Sequence, residues 1–427
     1  MSAPRFLFRR GPKTAAALLC LLLVSPLAVL AEDQPPDDLL ARLKALEERV
    51  QQLEAELAAL KSAPAPSGAP APAQPPGVAT AAAPSGAPGA PSGPLPVSGG
   101  GSTALSKVFN PDIGVIGNFI GAAGRNSVNP FPSLSMAESE VSFQAVVDPY
   151  ARADFFLSFG EEGVELEEGY LTFPALPGGL LGKAGKMRSS FGKVNTLHAH
   201  NLPWIDRPLM TDNLVAGEGG LTDAGLSISR LLPAPGGLFL EATAQIYRGD
   251  SGDLFQANSR QDVSMVGHLK SYYDLTEQTN IEVGGSYARG HNDRGSDFVT
   301  RLFGLDATLR WKPLRRSIYR SFIARTEMTW SRRDELFGPA RAFGYFASLD
   351  YQFGRRWFAG GRYDWSERAQ DPTEHDSGGS ILLTYWPSEF SQIRGQLRRT
   401  RYAEGMTANE LLFQFLFTIG AHGAHPF

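Results

Sequence analysis

The stretch Asn409-Glu-Leu-Leu-Phe-Gln-Phe-Leu-Phe-Thr-Ile-Gly-Ala-His-Gly-Ala-His-Pro-Phe427 decides the fold. At the two-residue period of a β-strand, Leu411, Phe413, Phe415, Phe417 and Ile419 share one face. In water, a sheet edge this apolar would recruit another chain and aggregate. In lipid, every backbone N–H and C=O must be paired within the protein, so a strand survives only inside a closed barrel whose outer face is apolar. The segment therefore requires enough matching strands to close on it.

Upstream, the chain supplies them. Sixteen candidate strands fall near 112–121, 139–148, 150–159, 164–173, 181–191, 221–231, 238–248, 263–273, 279–289, 300–311, 318–332, 342–353, 356–366, 379–387, 390–402 and 409–420. Several alternate cleanly: Phe303, Leu305, Ala307, Leu309 and Trp311 oppose Leu302, Gly304, Asp306, Thr308 and Arg310. A soluble sandwich alternates too. The connections separate the two folds. Short links such as 149, 174–179 and 354–355 alternate with longer ones near 122–138, 192–220, 249–262, 290–299, 333–341, 367–378 and 403–408, with 160–163 as the exception. An even strand number with short turns on one side and long loops on the other predicts an all-β, 16-stranded antiparallel transmembrane β-barrel over residues 106–427. Aromatics near strand ends, among them Trp311, Trp330, Trp357 and Trp386, suit interfacial girdles. The final strand also resembles those that end outer-membrane barrels on a terminal Phe.

The beginning of the chain fits export. Residues 1–31 read as a signal peptide: Arg5, Arg9, Arg10 and Lys13, then an apolar core from Ala15 to Val24, then small residues at Val29-Leu30-Ala31. Removing those four from the 40 basic residues leaves 36 against 44 acidic, a balance that argues against nucleic acid. The single cysteine, Cys20, lies within the leader, so disulfides, thiol nucleophiles and thiolate metal sites are not expected.

Residues 37–61 predict a short N-terminal coiled-coil helix preceding the barrel. Leu43, Val50 and Leu57 take a positions, and Leu39, Leu46, Leu53 and Leu60 take d. Arg42 with Glu47, and Arg49 with Glu54, place Arg at g and Glu at the following e. This pairing resembles one recurrent in three-stranded coils, and an ordinary surface charge pair is the plainer alternative. Residues 62–105 are a Pro/Ala/Gly-rich linker that, at about 3 Å per residue, reaches on the order of 100 Å at most. Both ends of an even-stranded barrel lie on its short-turn side, which puts this coil in the periplasm.

With apolar faces in lipid, the polar faces line the interior. The basic set expected there is Arg152, Lys186, Arg188, Lys270, Arg310, Arg325, Arg362, Arg394 and Arg398, opposed by Asp154, Glu168, Glu241, Glu282, Asp306, Glu327, Asp350 and Asp364. They line a water-filled pore or brace the wall as ion pairs. The longest loop, 192–220, carries His198, His200, Trp204, Asp206 and Arg207 and is expected to fold inward as a constriction. His198-x-His200 offers a metal or an anion two imidazoles. Two exposed loop histidines are the plainer reading, because the sequence fixes no carboxylate or third histidine beside them. No metal and no cofactor are expected.

Gly169-Tyr-Leu-Thr-Phe173, Gly182-Lys-Ala-Gly-Lys-Met-Arg-Ser-Ser-Phe-Gly192 and Gly304-Leu-Asp-Ala-Thr-Leu-Arg-Trp-Lys-Pro313 resemble strands of the phosphate-selective porin O and P family. The likeness covers roughly residues 108–427. It implies a homotrimeric, sixteen-stranded diffusion channel in the outer membrane of a Gram-negative bacterium, inserted by the barrel-assembly machinery and open to small solutes or ions. Phosphate choice in that family rests on an arginine ladder and a lysine cluster. This barrel region has six lysines and its interior arginines are offset by acids, so phosphate specificity is not implied. A structural barrel tethered through its coil to the cell wall or a periplasmic partner is the alternative. No nucleophile–base constellation points to an enzyme.

Deleting Phe427 is expected to lower the amount of folded barrel recovered from outer membranes while leaving the conductance of inserted molecules unchanged. Normal insertion of the truncated chain would refute the role given to that residue.

Overall fold

The computed structural model describes residues 111–160, 163–217 and 219–420. The leader, the 37–61 coiled coil, the 62–105 linker and Phe427 lie outside the described residues. The strands are β1 (Asp112–Arg125), β2 (Leu134–Asp148), β3 (Ala151–Gly160), β4 (Gly163–Leu176), β5 (Leu180–Arg188), β6 (Thr222–Leu232), β7 (Phe239–Tyr247) and β8 (Ser264–Thr276). They continue as β9 (Thr279–Asn292), β10 (Gly295–Trp311), β11 (Ser321–Arg333), β12 (Ala340–Gly354), β13 (Trp357–Glu367), β14 (His375–Ser388), β15 (Ser391–Arg401) and β16 (Thr407–Gly420). Each strand pairs antiparallel with its sequence neighbours, and β1 pairs with β16, closing the barrel.

The closing ladder runs from Gly114 opposite Gly420 to Arg125 opposite Asn409. Leu411, Phe413 and Ile419 are exposed on the outer face, whereas Leu412, Gln414, Leu416 and Thr418 are buried inside. Phe303 and Leu305 of β10, Leu349, Tyr351 and Phe353 of β12, and Leu397 of β15 likewise face outward. In water this belt would be a large apolar liability. Against hydrocarbon it is the required surface.

Connections differ from expectation at three places, the first over 122–138, which shortens to 126–133 as β1 and β2 lengthen. The link anticipated over 290–299 contracts to a turn at 293–294, because β9 and β10 extend past it with a register shift between Gly295 and Val299. Gly295 has φ +125°, open to a residue without Cβ. On the opposite side, 312–320 is long enough to hold a 3-10 turn at Leu314–Arg316. The asymmetry between the two rims therefore rests mainly on 126–133, 189–221 and 248–263.

Leu305 lies near the middle of β10 with its side chain outward. Leu305→Arg is expected to destabilise the barrel by about 2–4 kcal/mol in lipid vesicles, as a charge at mid-depth in the lipid does. Denaturant titration followed by tryptophan fluorescence measures it; an unchanged midpoint would contradict the outward assignment.

Candidate functional site

The segment between β5 and β6, residues 189–221, enters the barrel. Its neck closes where Ser189 N donates to Leu221 O (2.8 Å). Asn195 fastens the neck from inside, donating to Ser189 O (2.8 Å) and accepting from Leu221 N (2.7 Å). Gly192 turns the chain with φ +61°, and a Cβ there would stand 2.7 Å from Glu327 Oε2. Two 3-10 turns follow, Val194–Thr196 and Ala199–Asn201, and then helix α1 (Leu209–Leu214).

An apolar cluster holds this loop in place. Trp204, fully buried, meets Phe346 edge-on with ring centroids 5.1 Å apart. Met210 and Leu214 of α1 join Leu302, Phe346 and Leu382 from the inner faces of β10, β12 and β14. These three strand residues interrupt otherwise polar inner faces, and the loop covers them.

Polar contacts then anchor the loop to three sectors of the wall. At β9–β11, Glu327 Oε1 accepts from Lys193 N (2.8 Å) and Val194 N (2.7 Å), Ser286 Oγ accepts from Gly192 N (2.9 Å), and Lys193 Nζ meets Glu282 (2.5 Å). At β13–β16, Asp206 Oδ2 accepts from Arg362 Nη2 (2.8 Å) and Arg398 Nη1 (3.0 Å), while Oδ1 accepts from Gln396 (2.5 Å). Arg394 donates to Leu202 O (2.9 Å), and the Arg362 guanidinium stacks 4.8 Å from the Trp204 ring. Burial alone would raise the Asp206 carboxyl; Arg362 and Arg398 overturn that and hold it below its ordinary 3.8. Arg207, also buried, donates to Leu197 O (3.1 Å) within the loop.

The third sector is β2–β4. His198 and His200 are buried here, not exposed, and carboxylates surround them. His198 Nε2 lies 2.7 Å from Glu168 Oε1; its Nδ1 lies 2.9 Å from Glu140 Oε2 and 3.0 Å from Glu167 Oε2. Burial opposes a charged imidazole, yet Glu140, Glu167 and Glu168 reverse this and raise the His198 pKa well above 6.5. A β-bulge explains how two adjacent acids serve one site. The β3–β4 register shifts between Phe156 and Leu157, leaving Glu167 unpaired in the ladder, so Glu167 and Glu168 both reach the His198 ring.

The basic residues expected on the channel wall therefore divide. Arg362, Arg394 and Arg398 are buried against the loop. Arg152, Lys270, Arg310 and Arg325 face the interior beside Asp154 (2.8 Å), Glu241 (3.3 Å), Glu282 (3.5 Å) and Asp350 respectively. Arg188 pairs with Glu167 (3.0 Å) and donates to Gly219 O (3.1 Å) at the loop neck. Lys186 is corrected: its ladder partners Gly169 and Ala224 belong to the outer face, and its ammonium reaches Leu166 O (2.5 Å). Lys183 points inward instead, 4.5 Å above the Tyr170 ring. Sequence reading also missed Glu138, Glu140 and Glu167. Glu138 falls in a stretch read as loop, and strict alternation sends either Glu167 or Glu168 outward; two consecutive acids in a strand were the available sign of a bulge.

No family model matches the chain. Over 349 residues it is 29% identical to an uncharacterized protein of Aquifex aeolicus (strain VF5), covering 72% of this chain and 73% of that one. Among solved structures, an anion-selective porin from Comamonas acidovorans superposes with TM-score 0.51 at 12% identity, over 72% of this chain and 99% of that one. OprB of Pseudomonas putida, in its high-pH structure, gives TM-score 0.52 at 9% identity over 74% and 95%. At such identities the likeness is one of fold, a porin-like barrel, and does not extend to the phosphate-selective type.

Removing one partner of a buried ion pair costs about 3–5 kcal/mol, so Asp206→Asn is expected to free the loop by that order. Hydrogen exchange of residues 193–207 should rise in folded D206N. The pH dependence has a definite sign: because the folded-state value lies below 3.8, the ionised anchor contributes fully above it and is lost as pH falls through the folded value. Wild-type loop protection should therefore persist at about pH 4–5, near and above the ordinary aspartate value, and collapse only in stronger acid. Equal protection in D206N and wild type would refute the anchor.

Proposed function

We propose that the protein is an outer-membrane porin: a trimeric, water-filled channel for passive diffusion of small hydrophilic solutes or ions, with an anion bias. The observation that carries this reading is a closed barrel, apolar outside and charged inside, with its longest loop folded into the interior. Sixteen strands enclose more space than their own side chains fill. The inward loop takes up part of that space and gives it shape.

The anion bias follows from which charges reach water. The Arg152 side chain is 30% exposed against 9% for Asp154, and Arg310 is 17% exposed against 5% for Glu282. Lys270 and Arg325 are matched by their acids, at 17% against 19% for Glu241 and 20% against 18% for Asp350, so the bias rests on Arg152 and Arg310, whose field is felt first by a passing ion. Arg152, Lys270, Arg310 and Arg325 are assigned to the channel wall; His198, His200, Trp204, Asp206 and Arg207 shape and hold the constriction. Outer-membrane lipid surrounds the belt, barrel-assembly machinery inserts it, and the periplasmic coil over 37–61, through Arg42, Leu43, Leu46, Glu47, Arg49, Val50, Leu53 and Glu54, joins three copies. The function assigned is passage, not catalysis.

Planar-bilayer recording of the purified protein tests this. Conductance in steps of three, with a reversal potential in a salt gradient showing anion preference, is the expected result. Arg152→Gln with Arg310→Gln should shift that potential toward the cation side without abolishing conduction. Silence from folded protein would overturn the channel and favour a structural barrel.

A further inference from the structure

We propose that Glu138, Glu140, Glu167 and His198 bind a divalent first-row transition cation that fastens the constriction loop to the β2–β4 wall. One donor atom from each residue lies within 4.8 Å of the others, two from β2, one from the β4 bulge and one from the loop. Around His198 Nδ1 the spacing is tighter, 2.9 Å to Glu140 Oε2 and 3.0 Å to Glu167 Oε2. Metal bonds of about 2.0–2.2 Å set neighbouring donors roughly 3 Å apart, so these atoms can meet one ion with small adjustment.

Ordinary hydrogen bonding leaves this group unsatisfied. Glu138 is 8% exposed, yet neither of its oxygens accepts a hydrogen bond, and Glu140 Oε2, 2% exposed as a residue, meets His198 Nδ1 as an ion-pair contact without hydrogen-bond alignment. Buried polar atoms are rarely left so. The His200 ring is the nearest imidazole to Glu138, at 3.6 Å, and lies 3.8 Å from Glu140 Oε2. Charge points the same way. Glu138, Glu140, Glu167 and Glu168 face Arg188, His198 and His200, so the acids outnumber the bases even with both rings protonated.

Glu168 completes the arrangement. Its Oε1 lies 2.7 Å from His198 Nε2, so a ring donating from Nε2 to Glu168 would, on giving up its Nδ1 proton to an arriving cation, turn the Nδ1 lone pair toward the three remaining carboxylates. A carboxylate behind a ligating imidazole is the usual means of orienting it toward a metal. The imidazole nitrogen in the donor set favours Zn2+ over Mg2+ or Ca2+, and three carboxylates beside it also suit Mn2+. A bound ion would tie β2, β4 and the loop at one point.

The proposal does not depend on what crosses the channel, because binding is read directly. Purified full-length protein is stripped with chelator and dialysed against Zn2+, Mn2+ or Ca2+, with metal content measured per chain. One Zn2+ or Mn2+ per chain is expected, with Ca2+ at least tenfold weaker. E168Q should weaken binding by about 10–100-fold, and H198Q and E140Q by at least as much. Circular dichroism identifies folded variants, and hydrogen exchange of residues 193–207 should slow on adding Zn2+ to wild type but not to E140Q. Absence of stoichiometric binding by folded wild type, or equal binding by folded H198Q and E140Q, would overturn the site.

Discussion

A strand in hydrocarbon cannot leave its backbone unpaired, and everything else in this molecule depends on that constraint. It forces β16 onto β1, with Val115 opposite Ile419 and Phe119 opposite Phe415. Once the ring is closed, each strand has one face in lipid and one inside, and the two-residue period assigns every side chain to one or the other. The phenylalanines of β16 go out. Arg152 and Asp154 of β3, Asp306 and Arg310 of β10, Arg362 and Asp364 of β13, and Arg394 and Arg398 of β15 go in, where they must find partners or water.

Inside, two demands compete. Leu302, Phe346 and Leu382 face inward and need cover from water, while Arg362, Arg394 and Arg398 beside them need acceptors. The loop between β5 and β6 answers both. Trp204, Met210 and Leu214 cover the apolar residues, and Asp206 with the Leu202 carbonyl meets the guanidinium groups. Breaking a buried charge pair is costly even where forming it brings little net gain. Asp206, which meets Arg362, Gln396 and Arg398 at once, ties the loop to β13 and β15. The opposite face of the loop meets an acidic sector instead, so one segment bridges walls of opposite sign.

Much of the fold was legible. All sixteen strands fall where alternation places them, because half-buried strands in a barrel have no tertiary freedom to override their period. Boundaries moved where pairing extended past the apolar pattern, as at β9 and β10, whose turn shrank to 293–294. Lys186 was misassigned because the apolar signal is weak in Gly182-Lys-Ala-Gly-Lys-Met187; the ladder to Gly169 and Ala224 fixes its face. The acidic pocket was less visible still. Glu138 and Glu140 lie far from His198 along the chain, and Glu167 reaches it through a bulge that breaks the period used to read the strand.

The sequence by itself determined the barrel, its strand number and most of which charges lie inside, since lipid enforces the two-residue period locally, strand by strand. Only the tertiary structure decided what those charges do. Whether Arg362 faces open lumen or Asp206, and whether His198 is a solvated loop residue or the centre of three carboxylates, depends on the path of one loop. That path is set by long-range packing of Trp204 and α1 against strands more than a hundred residues away, which no local pattern encodes.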